Sequence, residues 1–194
     1  GQNPRPHIVA GSDDQLASLC YTSGTTGLPK AARIVNGSMS QAMEGLRWIV
    51  NDQEMVSISY LPLAHILERG WETFILCMGG AIGFFSGQIE RLMEDLQILK
   101  PTMMPSVPRV LNRIAGQIEA QMSAPGLKGK LLSKAVQVKL DNFYKTGAIT
   151  HAFWDRLIFR KVRALLGGRV QFMITGSAPC RKDVLALLRV ALCV

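Results

Sequence analysis

The chain is poor in acidic residues, aromatics, cysteines and unbroken apolar runs, and each shortage excludes something. Its 194 residues hold 14 Asp and Glu against 22 Lys and Arg, a formal net charge of +8. Aromatics make up only 7 % and do not interleave with the basic residues in any regular way. Sequence-specific DNA or RNA binding, which uses stacking aromatics or a recognition motif, is therefore not expected. The four cysteines, Cys20, Cys77, Cys180 and Cys193, form no C-x-x-C pair and are too sparse for a disulfide scaffold. A zinc ribbon and a secreted mini-domain are excluded, and a reducing, cytoplasmic compartment is expected. The longest nearly apolar stretch, Phe74 to Phe85, is broken by Gly79, Gly80 and Gly83 and falls short of the ~20 residues a spanning helix needs. No membrane span is expected within these residues. Peripheral attachment of a longer protein to a cytoplasmic membrane face remains open. His7, His65 and His151 are scattered without metal-ligand spacing. The opening residues, Gly1 to Pro6, are polar and proline-rich, unlike a secretory signal.

What remains is a globular chain. Its apolar fraction of 48 % is ample for a core. The expected strands are Gln15–Tyr21, a short buried one, then Ala31–Val35, Met55–Leu61, Ala81–Phe85, Thr102–Met104 and Arg169–Thr175. Helical periodicity covers 39–49, 64–78, 89–99, 107–122, 127–144, 151–166 and 181–194. Ser38 and Gln41 have the spacing of a capping box. Strands alternating with helices predict an α/β fold with a largely parallel sheet flanked by helices. In such sheets ligands sit beyond the carboxyl ends of the strands. The two loops after Tyr21 and after Thr175 are expected there. The first residue is Gly, and the last helical stretch ends on Leu192, Cys193 and Val194 without a stop signal. The expectation is a window on a longer chain.

The positive charge is local. From Arg109 to Arg169 there are 12 basic and 3 acidic residues. Lys128, Lys130, Lys134 and Lys139 alternate with apolar residues and read as a solvated helix face.

The stretch that carries chemistry is Tyr21-Thr22-Ser23-Gly24-Thr25-Thr26-Gly27-Leu28-Pro29-Lys30. Gly24 and Gly27 let backbone N–H groups turn inward around an anion. The hydroxyls of Thr22, Ser23, Thr25 and Thr26 add donors in little space. Lys30 supplies a mobile positive charge for a phosphoryl oxygen. Pro29 before the Lys, and no Ser or Thr after it, excludes a Walker-type loop.

YTSGTTGLPK resembles the phosphate-loop signature of the adenylate-forming, AMP-binding enzymes. Within them the chain is similar to the long-chain fatty acyl-CoA synthetases. Three later segments share that resemblance: Ser59 to Arg69 (SYLPLAHILER), Pro101 to Ile114 (PTMMPSVPRVLNRI) and Gly167 to Pro179 (GGRVQFMITGSAP). The resemblance implies part of the large N-terminal adenylation domain. It implies a ligase that joins a fatty acid to ATP as an acyl-adenylate and passes the acyl group to coenzyme A, with Mg²⁺. Thr22 to Lys30 would hold the β- and γ-phosphates, with Thr22 nearest the metal. His65 would lie by the reacting carboxylate. Gly176, Ser177, Ala178 and Pro179 would pass under the adenine. Ile66 and Trp71, with His65, would line the acyl pocket. The rivals are another adenylate-forming ligase, for medium-chain or aryl acids, and a non-catalytic nucleotide- or lipid-binding module.

Ala31 departs from the Gly usual after the Lys, and Val35-Asn36 from a Thr-His pair. The family's aromatic-Gly-x-Thr-Glu motif, its ribose-binding Asp and the Lys of its C-terminal domain do not occur in this sequence. These 194 residues alone are therefore expected not to complete the reaction.

Overall fold

The computed structural model describes residues 11–22, 28–50, 54–176 and 178–194. Two sheets are present among them. β1 (Leu16–Thr22) and β2 (Lys30–Val35) form an antiparallel hairpin in which Thr22 pairs with Lys30. A four-stranded sheet joins β3 (Val56–Ser59), β4 (Ala81–Phe84), β5 (Met103–Ser106) and β6 (Phe172–Thr175) in the order β4-β3-β5-β6, all parallel.

Side chains on successive strand residues point to opposite faces. Met103 packs with Trp71, Phe74 and Ile75, whereas Met104 packs with Leu96, Ile114 and Leu188. On β6, Phe172 and Ile174 join the first group and Met173 the second. The sheet is thus covered on both faces, as parallel sheets are. One face carries α2 (Ile66–Cys77). The other carries α3 (Leu92–Leu99), α4 (Pro108–Met122), α5 (Leu127–Thr146) and α8 (Lys182–Leu192). Pro108 opens α4, where its missing N–H costs nothing. Lys100 ends α3 in the left-handed region, and Thr102 then donates through Oγ1 to the Glu54 carbonyl at 2.7 Å.

Several expectations are corrected. The first strand is not buried: five of the seven β1 residues are exposed, because the hairpin stands outside the parallel sheet. Tyr21 therefore lies near the end of an antiparallel strand, not of a strand of the parallel sheet. No capping box opens α1 (Asn36–Ile49). Its N-cap is Val35, and the Ser38 hydroxyl donates to the Val35 carbonyl at 2.8 Å. Lys139 does not share the solvated face of Lys128, Lys130 and Lys134. It is 1 % exposed and ion-pairs with Asp155 at 2.5 Å. The helix expected over 151–166 is interrupted. α6 (Ala152–Trp154) and α7 (Arg160–Arg163) flank a π-helical turn at Asp155–Phe159.

Candidate active site

The strand order determines where a site can form. From β3 the chain crosses to β4 on one side, then returns to place β5 on the other. The crevice beyond the carboxyl ends of β3 and β5 is therefore the topological switch point, where ligands bind in open α/β sheets. Ser59, Tyr60 and Ser106 stand there, followed by the loop that leads to His65.

His65 is the N-cap of α2. Its Nδ1 accepts a hydrogen bond from the Leu67 N–H at 3.3 Å. With Nδ1 accepting, Nε2 is the ring nitrogen left to donate. Arg69, one turn on, holds the loop from behind. Its Nε donates to the Leu63 carbonyl at 3.0 Å, and its Nη1 donates to the Ser18 hydroxyl of β1. The Cys20 thiol donates to the Ala64 carbonyl at 3.5 Å. These contacts clasp the β1–β2 hairpin to the loop bearing His65, which sets β1 and β2 beside the switch point.

Of the expected phosphate ligands, Thr22 and Lys30 are exposed at the hairpin end, and the Thr22 hydroxyl donates to the Lys30 carbonyl at 3.4 Å. Ser23, Gly24, Thr25, Thr26 and Gly27 lie outside the described residues, as does Ser177. Gly176 follows β6, and a Cβ there would meet nothing within 4 Å among the described residues. Ala178 and Pro179 are exposed beside it. Ile66 is 37 % exposed next to His65. Trp71 sits elsewhere, in the core beneath α2. It is 2 % exposed, donates from Nε1 to the Ser57 hydroxyl at 2.8 Å, and stacks on Phe172.

Sequence reasoning passed over Glu68, Tyr60 and Ser106. Glu68 is fully buried, and neither carboxylate oxygen has a hydrogen-bond partner among the described residues. Burial, the largest influence, pushes its carboxyl up from 4.5 to about 7. The neighbouring Glu72 carboxyl pushes the same way. The Ser59 hydroxyl and the Tyr60 and Leu61 N–H groups oppose it, facing the carboxyl without closing into well-formed bonds. The Ser106 hydroxyl is also buried and has no hydrogen-bond partner among the described residues. The Tyr60 hydroxyl donates to the Pro105 carbonyl at 2.9 Å, and burial pushes its phenol up to about 12. The signal in the sequence was spacing. Glu68 stands three residues before Trp71 and seven before Ile75, a core-facing position given to a carboxylate.

The arrangement suits an anionic ligand lying between the hairpin and the carboxyl edge of the sheet. No group of three or more His, Cys, Asp or Glu able to hold a metal occurs among the described residues. Magnesium needs few protein ligands when phosphates supply the others.

Comparison with known proteins agrees. The model of the family described as AMP-binding enzyme matches residues 2–194. The human long-chain-fatty-acid–CoA ligase 6 is 40 % identical over 99 % of this chain and 28 % of its own length. The human long-chain-fatty-acid–CoA ligase 1 is 44 % identical over 92 % of this chain and 26 % of its own length. The chain thus spans about a quarter of these curated relatives. Among solved structures, the A domain of a carboxylic acid reductase from Segniliparus rugosus, in complex with AMP and a co-purified carboxylic acid, is 26 % identical. Its TM-score is 0.63, and the match covers 94 % of this chain and 26 % of that one. With the switch point, the hairpin and the family match over essentially its whole length, the chain belongs to the AMP-binding enzyme family.

Proposed function

We propose that this chain is part of a long-chain fatty acid–CoA ligase. The whole protein activates a fatty acid with ATP to an acyl-adenylate, releasing pyrophosphate, and then transfers the acyl group to coenzyme A. The observation that carries the reading is the clasp by Arg69 and Cys20, which sets the hairpin with Thr22 and Lys30 against the loop of His65. Two negative groups, a carboxylate and a triphosphate, must meet there. Lys30 lowers their repulsion by binding phosphoryl oxygens. His65 donates from Nε2 to the incoming carboxylate and orients it. Gly176 and its neighbours leave backbone approachable by a flat base. Mg²⁺, held by Thr22 and phosphate oxygens, would draw off charge developing on the leaving pyrophosphate. Four free cysteines suit a cytoplasmic setting.

The test is a substrate panel on the full-length protein, following carboxylate-dependent ATP–pyrophosphate exchange and thioester formation. Exchange is expected with long-chain acids, and Lys30→Ala is expected to reduce it about a hundredfold. Exchange confined to short or aryl acids would replace the long-chain assignment. No exchange with any carboxylate would overturn the ligase reading.

A further inference from the structure

A second concave site lies away from the switch point. α4 starts at the carboxyl edge of β5 and runs 15 residues, roughly 22 Å at 1.5 Å per residue, so its far end is remote from His65. There the end of α4, α5 and the π-helical turn enclose a cleft of about 460 Å³. Such a volume lies within the range of small-molecule sites, about 300–1,000 Å³. Leu132 and Val162 are buried at its floor, and Leu131, Leu157 and Ile158 line its walls. Lys128 and Lys161 also line it, and both are exposed, which puts their ammonium groups at the solvent side. Neither forms an ion pair among the described residues.

Two features show that the cleft is built rather than incidental. One wall, Leu157 and Ile158, belongs to the π-helical turn Asp155–Phe159, a rare distortion that recurs at functional sites. That turn is held to α5 by the buried pair of Lys139 with Asp155, and the Lys139 ammonium lies 4.5 Å from the Phe159 ring centre.

We propose that this cleft binds a free long-chain fatty acid at a site separate from the one where carboxylates are activated. An apolar trough with two cations at its mouth is complementary to one extended acyl chain ending in a carboxylate. Lysine supplies point charges suited to a small anionic head. A nucleotide is disfavoured because none of the described residues that line the cleft is aromatic.

The experiment is photolabelling of the full-length protein with a diazirine-bearing palmitate, followed by peptide mapping. Label is expected on peptides spanning 121–132 and 157–162, and unlabelled palmitate should compete it away. Lys128→Glu with Lys161→Glu is expected to weaken that labelling about tenfold, equivalent to 1.4 kcal/mol, with thioester formation unchanged. Leu157→Trp, which fills the trough from an exposed position, should have the same effect without altering charge. Absence of label on these peptides overturns the proposal. So does label that neither variant reduces, or stronger competition by a lysophospholipid or by anionic vesicles than by palmitate. Label on peptides around His65 reports on the activation site and leaves this outcome separately readable.

Discussion

Replacing Glu68 by Gln gives the sharpest test of the electrostatics at the switch point. The Glu68 carboxyl is fully buried, has no hydrogen-bond partner among the described residues, and is pushed up by burial from 4.5 to about 7. A folded value raised above the unfolded one means that folding favours the protonated form. Below pH 4.5 both states are protonated and the group costs nothing. As pH rises from 4.5 to 7 the unfolded carboxyl ionises while the folded one stays protonated, so stability falls, and above 7 the loss is complete. At about 1.36 kcal/mol per unit, the full difference is about 3 kcal/mol. Gln has the same shape and no charge. The stability of Glu68→Gln relative to the parent should therefore rise by about 3 kcal/mol between pH 4.5 and pH 9. In a domain of this size that corresponds to roughly 6–12 °C in Tm. The assay is urea denaturation of both proteins at pH 4.5, 7 and 9, with unchanged m-values as the control. A difference that stays flat with pH would refute the reasoning, because it would mean that Glu68 is ionised and satisfied throughout.

Other expectations follow from individual contacts. Trp71→Ala removes a side chain 2 % exposed together with its bond to Ser57, and should cost about 3–5 kcal/mol by denaturation. Lys139→Met leaves the largely buried Asp155 without its cation; a loss of about 2–3 kcal/mol is expected in the same assay. Gly167→Ala places a Cβ 2.5 Å from the Leu96 carbonyl oxygen at a φ of +84°, so a loss of at least ~1–3 kcal/mol is expected, read as a lower Tm. His65→Ala should lower carboxylate-dependent pyrophosphate exchange by about tenfold or more, since one positioned donor is lost, while ATP binding measured by calorimetry stays near that of the parent.

Local rules carried the elements far. Pro108 at the first turn of α4, the periodic apolar residues of α3 and the Gly-Gly pair before β6 each act within a few residues, and all lie where the pattern puts them. The phosphate-loop composition and the SYLPLAHILER stretch were equally legible, because they need particular residue types in order. Burial was not legible. Leu16, Leu19 and Tyr21 give β1 the composition of a core strand, but a hairpin outside the parallel sheet leaves them exposed. Lys139 matches its neighbours in sequence, and only the approach of Asp155 from a later helix takes it inside.

The sequence by itself determined most element types, the composition of the Thr22-to-Lys30 motif and the family. Each of these depends on residues close together along the chain. The tertiary structure decided the strand order that makes the β3–β5 crevice a switch point. It also decided the clasp of Arg69 on Ser18, the isolation of Glu68 and the cleft walled by the π-helical turn. Those depend on groups brought together across 44 to 54 residues of chain in the contacts of Cys20 with Ala64, Arg69 with Ser18 and Lys139 with Cys193. No local pattern encodes them, because their energy exists only once the sheet and its two helical layers have closed.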